Sequence, residues 1–316
     1  MSRTRNLCLG LFLIVGLSAC TLKENLSDVS EGSVTPSFQP QPSETRTPAA
    51  PTETIQPTKT FTPFLPSTQT PMPSPSPTKL SCWSEGGIIE KREIPSNWLP
   101  DPLQFRVYTP PCYDQQNERR YPVLYLIHGQ TYTDDQWDRL GADETADALI
   151  ASGELSPFII VMPREKERST PPPANLFGDA LIYDLIPRID SDYRTLPDRY
   201  FRAIGGLSRG GNWAVHLGLS YWGFFGRIGA HSTPTFVTDG PQVIREWLSE
   251  IPAEELPGIF MDAGEDDIWL SYTLQFEEIL NQEDIPHEWY LFPGQHNEEY
   301  WSAHLEQYLR WYAQDW

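Results

Sequence analysis

Between residues 86 and 316 the chain offers eight strand candidates, and most are separated by stretches with helical spacing. The strand candidates are 87–93, 104–108, 121–128, 157–163, 201–207, 227–231, 258–262 and 288–292. Two of them, YPVLYLIH (121–128) and PFIIVMP (157–163), are apolar at nearly every position. A strand can be apolar throughout only when both of its faces are covered. Helical patterns over 142–152, 176–191, 210–220, 242–250, 268–282 and 298–313 supply the covering layers. The expected fold class is therefore α/β, a mostly parallel doubly wound sheet with antiparallel strands at its N-terminal side. About 236 residues of this kind suit one domain.

Composition divides the chain. All 11 Trp follow position 80. Residues 81–316 carry 17 Lys+Arg against 38 Asp+Glu, a net charge of −21, while residues 21–80 carry 4 against 5. So acidic a domain lacks the basic face that nucleic acid or an anionic membrane surface demands. Between Thr35 and Leu80 there are 12 Pro, set mostly among Thr, Ser and Gln. Such a stretch buries too little apolar surface to offset its ordering entropy, and it reads as an extended, disordered spacer over 21–80.

Ahead of it, Arg3 and Arg5 precede an apolar run over 7–17, the pattern of an export signal. Leu17-Ser18-Ala19-Cys20 resembles the bacterial lipobox, which implies lipidation of Cys20 and anchoring at the cell envelope. Of the other cysteines, Cys8 would leave with the signal. Cys82 and Cys112 remain, an even pair in an oxidising compartment, and one disulfide between them is expected. No Cys/His cluster suggests zinc.

In an open α/β sheet, chemistry gathers beyond the carboxyl ends of the strands. After the strand at 201–207 comes Gly205-Gly-Leu-Ser-Arg-Gly-Gly211, which contains G-x-S-x-G centred on Ser208. A strand before it and a helix after it form the context of a nucleophile elbow. A serine hydroxyl needs a base, and in this fold the order along the chain is Ser, acid, His. Of six His, His296 alone stands in the loop directly after the last strand, since His304 falls on the helix that follows. The acid should follow the strand at 258–262, where Asp262, Glu265, Asp266 and Asp267 compete. Asp267, three residues beyond Gly264 and clear of the turn, is best placed to reach an imidazole. Oxyanion donors are expected from the backbone N–H groups of Arg209 and Gln130. Trp137, Trp269 and Trp301 each follow one of these motifs, and His231 ends a strand. These rings either line a pocket, stacking on sugar or aromatic groups, or pack the core.

Together these motifs resemble the esterase D, or putative esterase, family of α/β-hydrolases. The resemblance lies in Arg120–Gly129 (RYPVLYLIHG), Leu185–Arg194 (LIPRIDSDYR), Arg202–Gly211 (RAIGGLSRGG), Gly264–Asp267 (GEDD) and Gly294-Gln-His296 with Trp301. That family includes feruloyl, acetylxylan and enterochelin esterases, S-formylglutathione hydrolases and antigen 85 mycolyltransferases. The resemblance implies Ser208 as nucleophile, Asp267 as acid and His296 as base, with no metal or organic cofactor. It departs from the usual pattern at Arg209, where many members have a small residue or Met, at Gln295, where a second Gly is common, and at Trp213. The expected function is a lipid-anchored ester hydrolase for small or polysaccharide-linked esters. Acyl transfer to a sugar hydroxyl and polysaccharide binding without catalysis are the alternatives.

Overall fold

The computed structural model describes residues 82–316. The export segment, Cys20 and the spacer at 21–80 lie outside the described residues. Eight strands form one sheet: β1 (Ile88–Ile94), β2 (Leu103–Thr109), β3 (Val123–Ile127), β4 (Ile159–Pro163), β5 (Arg202–Leu207), β6 (Arg227–His231), β7 (Gly258–Gly264) and β8 (Glu288–Phe292). Their order across the sheet is β1-β2-β4-β3-β5-β6-β7-β8. β1 pairs antiparallel with β2, and β2 with β4. Every later pairing is parallel. The fold is that of the α/β-hydrolases.

The helices are α1 (Gln136–Arg139), α2 (Ala142–Ala151), α3 (Phe177–Ala180), α4 (Ile186–Asp192), α5 (Arg209–Ser220), α6 (Pro241–Glu250), α7 (Leu270–Gln282) and α8 (Glu298–Ala313). Alternation along the strands divides the core between two faces. Val123, Tyr125 and Ile127 of β3 point to one face, where they join Leu181, Trp213, Ile244 and Phe276. Leu124 and Leu126 point to the other, with Ala146 and Leu149 of α2 and Leu305, Leu309 and Tyr312 of α8. This double cover is the reason the central strands carry unbroken apolar runs.

The helix expected over 176–191 is divided, because a π turn at Leu181–Leu185 separates α3 from α4. Pro187 stands in the first turn of α4. It has no N–H for the carbonyl four residues back, and its ring crowds that carbonyl, so an unbroken α-helix cannot run through it. Cys82 and Cys112 form a disulfide with Cα atoms 5.1 Å apart, joining the start of the described chain to the turn after β2. No helix among the described residues is long and apolar enough to cross a membrane.

Candidate active site

Ser208 lies between the end of β5 and the first residue of α5, with φ 53° and ψ −122°. A non-glycine residue held there stores strain that the surrounding packing must sustain. Its N–H donates to the carbonyl of His231 on the neighbouring strand, at 2.8 Å. No side chain fits where strand and helix cross: a Cβ on Gly206 would overlap the Gly210 backbone, and one on Gly210 the Ile127 carbonyl. The tight turn leaves the half-buried Ser208 side chain at the carboxyl edge of the sheet.

The loops after β7 and β8 are tied together there. The Glu265 N–H donates to the Phe292 carbonyl at 2.8 Å, and the Asp266 N–H to that of Gly294 at 2.9 Å. This cross-bonding sets Asp267 against His296. The imidazole Nδ1 lies 2.9 and 3.1 Å from the two Asp267 carboxylate oxygens. Nε2 lies 2.9 Å from Ser208 Oγ. An ionised carboxylate only accepts, so the Nδ1 proton belongs on that side and the Nε2 lone pair faces the serine. Burial opposes ionisation of Asp267, but bonds from His296 and the Trp269 N–H, at 2.7 Å, outweigh it and hold the carboxyl below its ordinary range. The Trp301 ring meets the imidazole edge-on, with centroids 5.0 Å apart.

Two further segments complete the rim. Arg209 opens α5, and first-turn amides have no partner within their own helix. Gln130 sits in the turn after β3, beyond His128 and Gly129. His128 Nε2 accepts from the Glu165 N–H at 3.0 Å, which leaves Nδ1–H to donate to the Gly129 carbonyl at 2.7 Å. Burial pushes the His128 imidazole down to about 4, so it stays neutral and keeps that tautomer. The Gly129 N–H is held by Gln136 Oε1 at 2.8 Å.

Residues 96–312 match the family model described as "Esterase: Putative esterase". The chain belongs to this esterase family. An endo-1,4-beta-xylanase/feruloyl esterase of Xylanibacter ruminicola is 35% identical over 143 residues, 42% of this chain and 20% of that protein. An esterase of Mycobacterium tuberculosis is 30% identical over 140 residues, 42% of this chain and 29% of its own length. The chain thus spans under a third of these two relatives. Among solved structures, a ferulic acid esterase superposes with TM-score 0.64 at 27% identity, covering 72% of this chain and 98% of that one. The feruloyl esterase module of Clostridium thermocellum, solved with sinapinate, gives TM-score 0.63 at 20% identity, covering 76% and 93%, and shares the fold.

In this esterase-family domain the four rings offered either to a pocket or to the core separate. Trp269 is 41% exposed beside Asp267. Trp137, Trp301 and His231 are at most 2% exposed and belong to the interior, so of the two readings left open for them core packing holds and pocket lining does not. The Trp137 indole N–H donates to the Ile127 carbonyl at 3.0 Å, and that of Trp301 to Ser232 Oγ at 3.1 Å. His231 is stacked on Tyr308 and bonded to Asp262 and Tyr312. Asp262 is thereby taken up beneath the site, where it also accepts from the Tyr300 and Tyr308 hydroxyls at 2.7 and 2.6 Å. Trp213 fits because Gly178 faces it: a Cβ there would stand 2.9 Å from the indole. Sequence reasoning missed His128, Glu165 and Gln136 as supports of the rim. The first two follow the ends of β3 and β4, the places where site residues concentrate, but nothing local announces their pairing. Among the described residues, no group of three or more His, Cys, Asp or Glu side chains is placed to hold a metal ion.

Proposed function

We propose that the chain is a serine carboxylic-ester hydrolase in which Ser208 is the nucleophile, His296 the general base and Asp267 the orienting acid. The observation that carries this reading is the unbroken relay from the Asp267 carboxylate through the imidazole to Ser208 Oγ, assembled from the ends of three strands. Ser208 attacks the ester carbonyl while His296 Nε2 takes its proton. The backbone N–H groups of Arg209 and Gln130 receive the oxyanion. The imidazolium then protonates the departing alcohol, and water, activated by the same base, releases the acid. Asp267 stabilises the imidazolium and fixes its tautomer. The names of the relatives favour carbohydrate-linked aromatic esters as substrates, and the exposed Trp269 ring would suit an aromatic acyl group. On the sequence reading, residues 1–20 are a lipoprotein signal, Cys20 carries the lipid, 21–80 is a spacer, and 81–316 is the catalytic domain facing outward from the envelope.

In purified full-length protein, Ser208→Ala should reduce hydrolysis of p-nitrophenyl acetate and methyl ferulate to the uncatalysed background. A variant that keeps the wild-type rate would exclude Ser208 as the nucleophile.

A further inference from the structure

The two N–H groups assigned to the oxyanion come from segments far apart in the chain: the turn after β3 and the start of α5. Stabilising a tetrahedral oxyanion requires both at about 2.7–3.1 Å from one point, so their separation must be held to a few tenths of an ångström. One loop touches both segments. It is the connection from β4 to α3, residues 164–176.

Within that loop, Arg168 Nη1 donates to the carbonyls of Gln130 and Tyr132, at 3.1 Å each. The Gln130 side-chain amide returns a bond to the Arg168 carbonyl at 3.1 Å. Three residues earlier, Glu165 takes the Arg209 guanidinium in a two-point pair, Nε to Oε2 at 2.8 Å and Nη2 to Oε1 at 2.6 Å. Arg209 Nη2 also donates to the Thr170 carbonyl at 2.7 Å. Asn175 closes the loop on itself, its amide donating to Glu165 Oε1 and the Glu167 carbonyl at 2.7 Å each. The Glu165 side chain has no exposure and that of Arg209 has 10%.

A buried ion pair is a poor way to gain stability, since desolvating two charges offsets most of their attraction. A two-point guanidinium–carboxylate pair is a good way to set a distance and an angle. We propose that loop 164–176 is a positioning brace for the oxyanion site, holding Gln130 through Arg168 and Arg209 through Glu165. Arg168, Glu165 and the Arg209 side chain are positioning residues: they act on the reaction through the two main-chain donors. The proposal rests on the serine-hydrolase reading above and assigns that site a part with a measurable share of the rate.

The test compares the full wild-type chain with Arg168→Ala and with the double variant Glu165→Gln/Arg209→Met. Arg168 lies on a partly exposed loop, so its truncation leaves the fold intact. The double variant removes both buried charges together and strands neither. Losing one oxyanion donor outright costs about 10²–10³ in kcat, so a displaced donor should cost roughly tenfold to a hundredfold, with KM changed by less than about threefold. Inhibition by phenylboronic acid, whose serine adduct is tetrahedral, should weaken in step with kcat, while thermal unfolding of Arg168→Ala stays at the wild-type temperature. Wild-type kcat and boronate affinity in both variants, with Ser208→Ala inactive, would overturn the brace and leave the hydrolase standing. A rise in KM at constant kcat would also overturn it, because the loop would then be shaping the substrate cleft. A wild-type chain that turns over no ester would instead remove the hydrolase reading itself.

Discussion

His128 serves two partners at once, accepting from the Glu165 N–H and donating to the Gly129 carbonyl, and only a neutral imidazole can do both. Its folded-state value of about 4 lies below the ordinary 6.5. Between those two values the unfolded chain binds a proton that the native chain refuses. Native stability is therefore complete above about pH 6.5 and declines as pH falls towards 4, by up to about 3 kcal/mol from this residue. Urea midpoints measured near pH 7 and near pH 4.5 should differ less in His128→Asn than in wild type. Equal pH slopes in the two proteins would show that His128 is not the group responsible. The same bonds orient Gly129 at the turn after β3, so one residue links acid stability to the shape of the loop that carries Gln130.

At the scale of elements, the pairing of β5 with β6 sets Gly205 opposite Gly229. Both leave room for the Tyr312 hydroxyl of α8, which a Cβ at either position would overlap. Through this notch the hydroxyl reaches His231 Nε2 at 2.9 Å. Gly205→Ala should destabilise the domain by roughly 1–3 kcal/mol through overpacking, and Tyr312→Phe should recover part of that loss in the double variant. Denaturant midpoints decide the matter, and a Gly205→Ala protein as stable as wild type would contradict it. Most strands lie where their apolar runs placed them, since those runs reflect cover on both faces. The boundaries are less legible. β7 extends two residues beyond its apolar run, to Gly264, because β8 offers it partners as far as Phe292. The short α1 has too few turns to show a period.

For the molecule as a whole, the disulfide closes a loop of 30 residues. Loop-closure entropy assigns such a crosslink about 3–4 kcal/mol. Replacing both Cys82 and Cys112 by Ser should lower the unfolding free energy by about that amount, and adding reductant to wild type should do the same. Unchanged melting with and without reductant would argue that the link contributes nothing. The net charge of −21 on residues 81–316 is spread over a solvated surface that includes many Arg–carboxylate pairs, such as Arg310 with Glu154 and Glu306. Exposed pairs of this kind add little stability. They leave an overall negative field that disfavours anionic substrates.

Short-range pattern was enough to read the α/β architecture, the elbow at Ser208 and the strand ends that carry Asp267 and His296. Each depends on a few neighbouring residues: an apolar run, glycines around a turn, a side chain just past a strand. The interior fate of Trp137, Trp301 and His231, the Asp262–tyrosine network and the bracing of Gln130 and Arg209 by one loop came only with the folded chain. Burial and long-range pairing depend on which faces meet, and residues 44 positions apart, as Glu165 and Arg209 are, carry no local sign that they will touch.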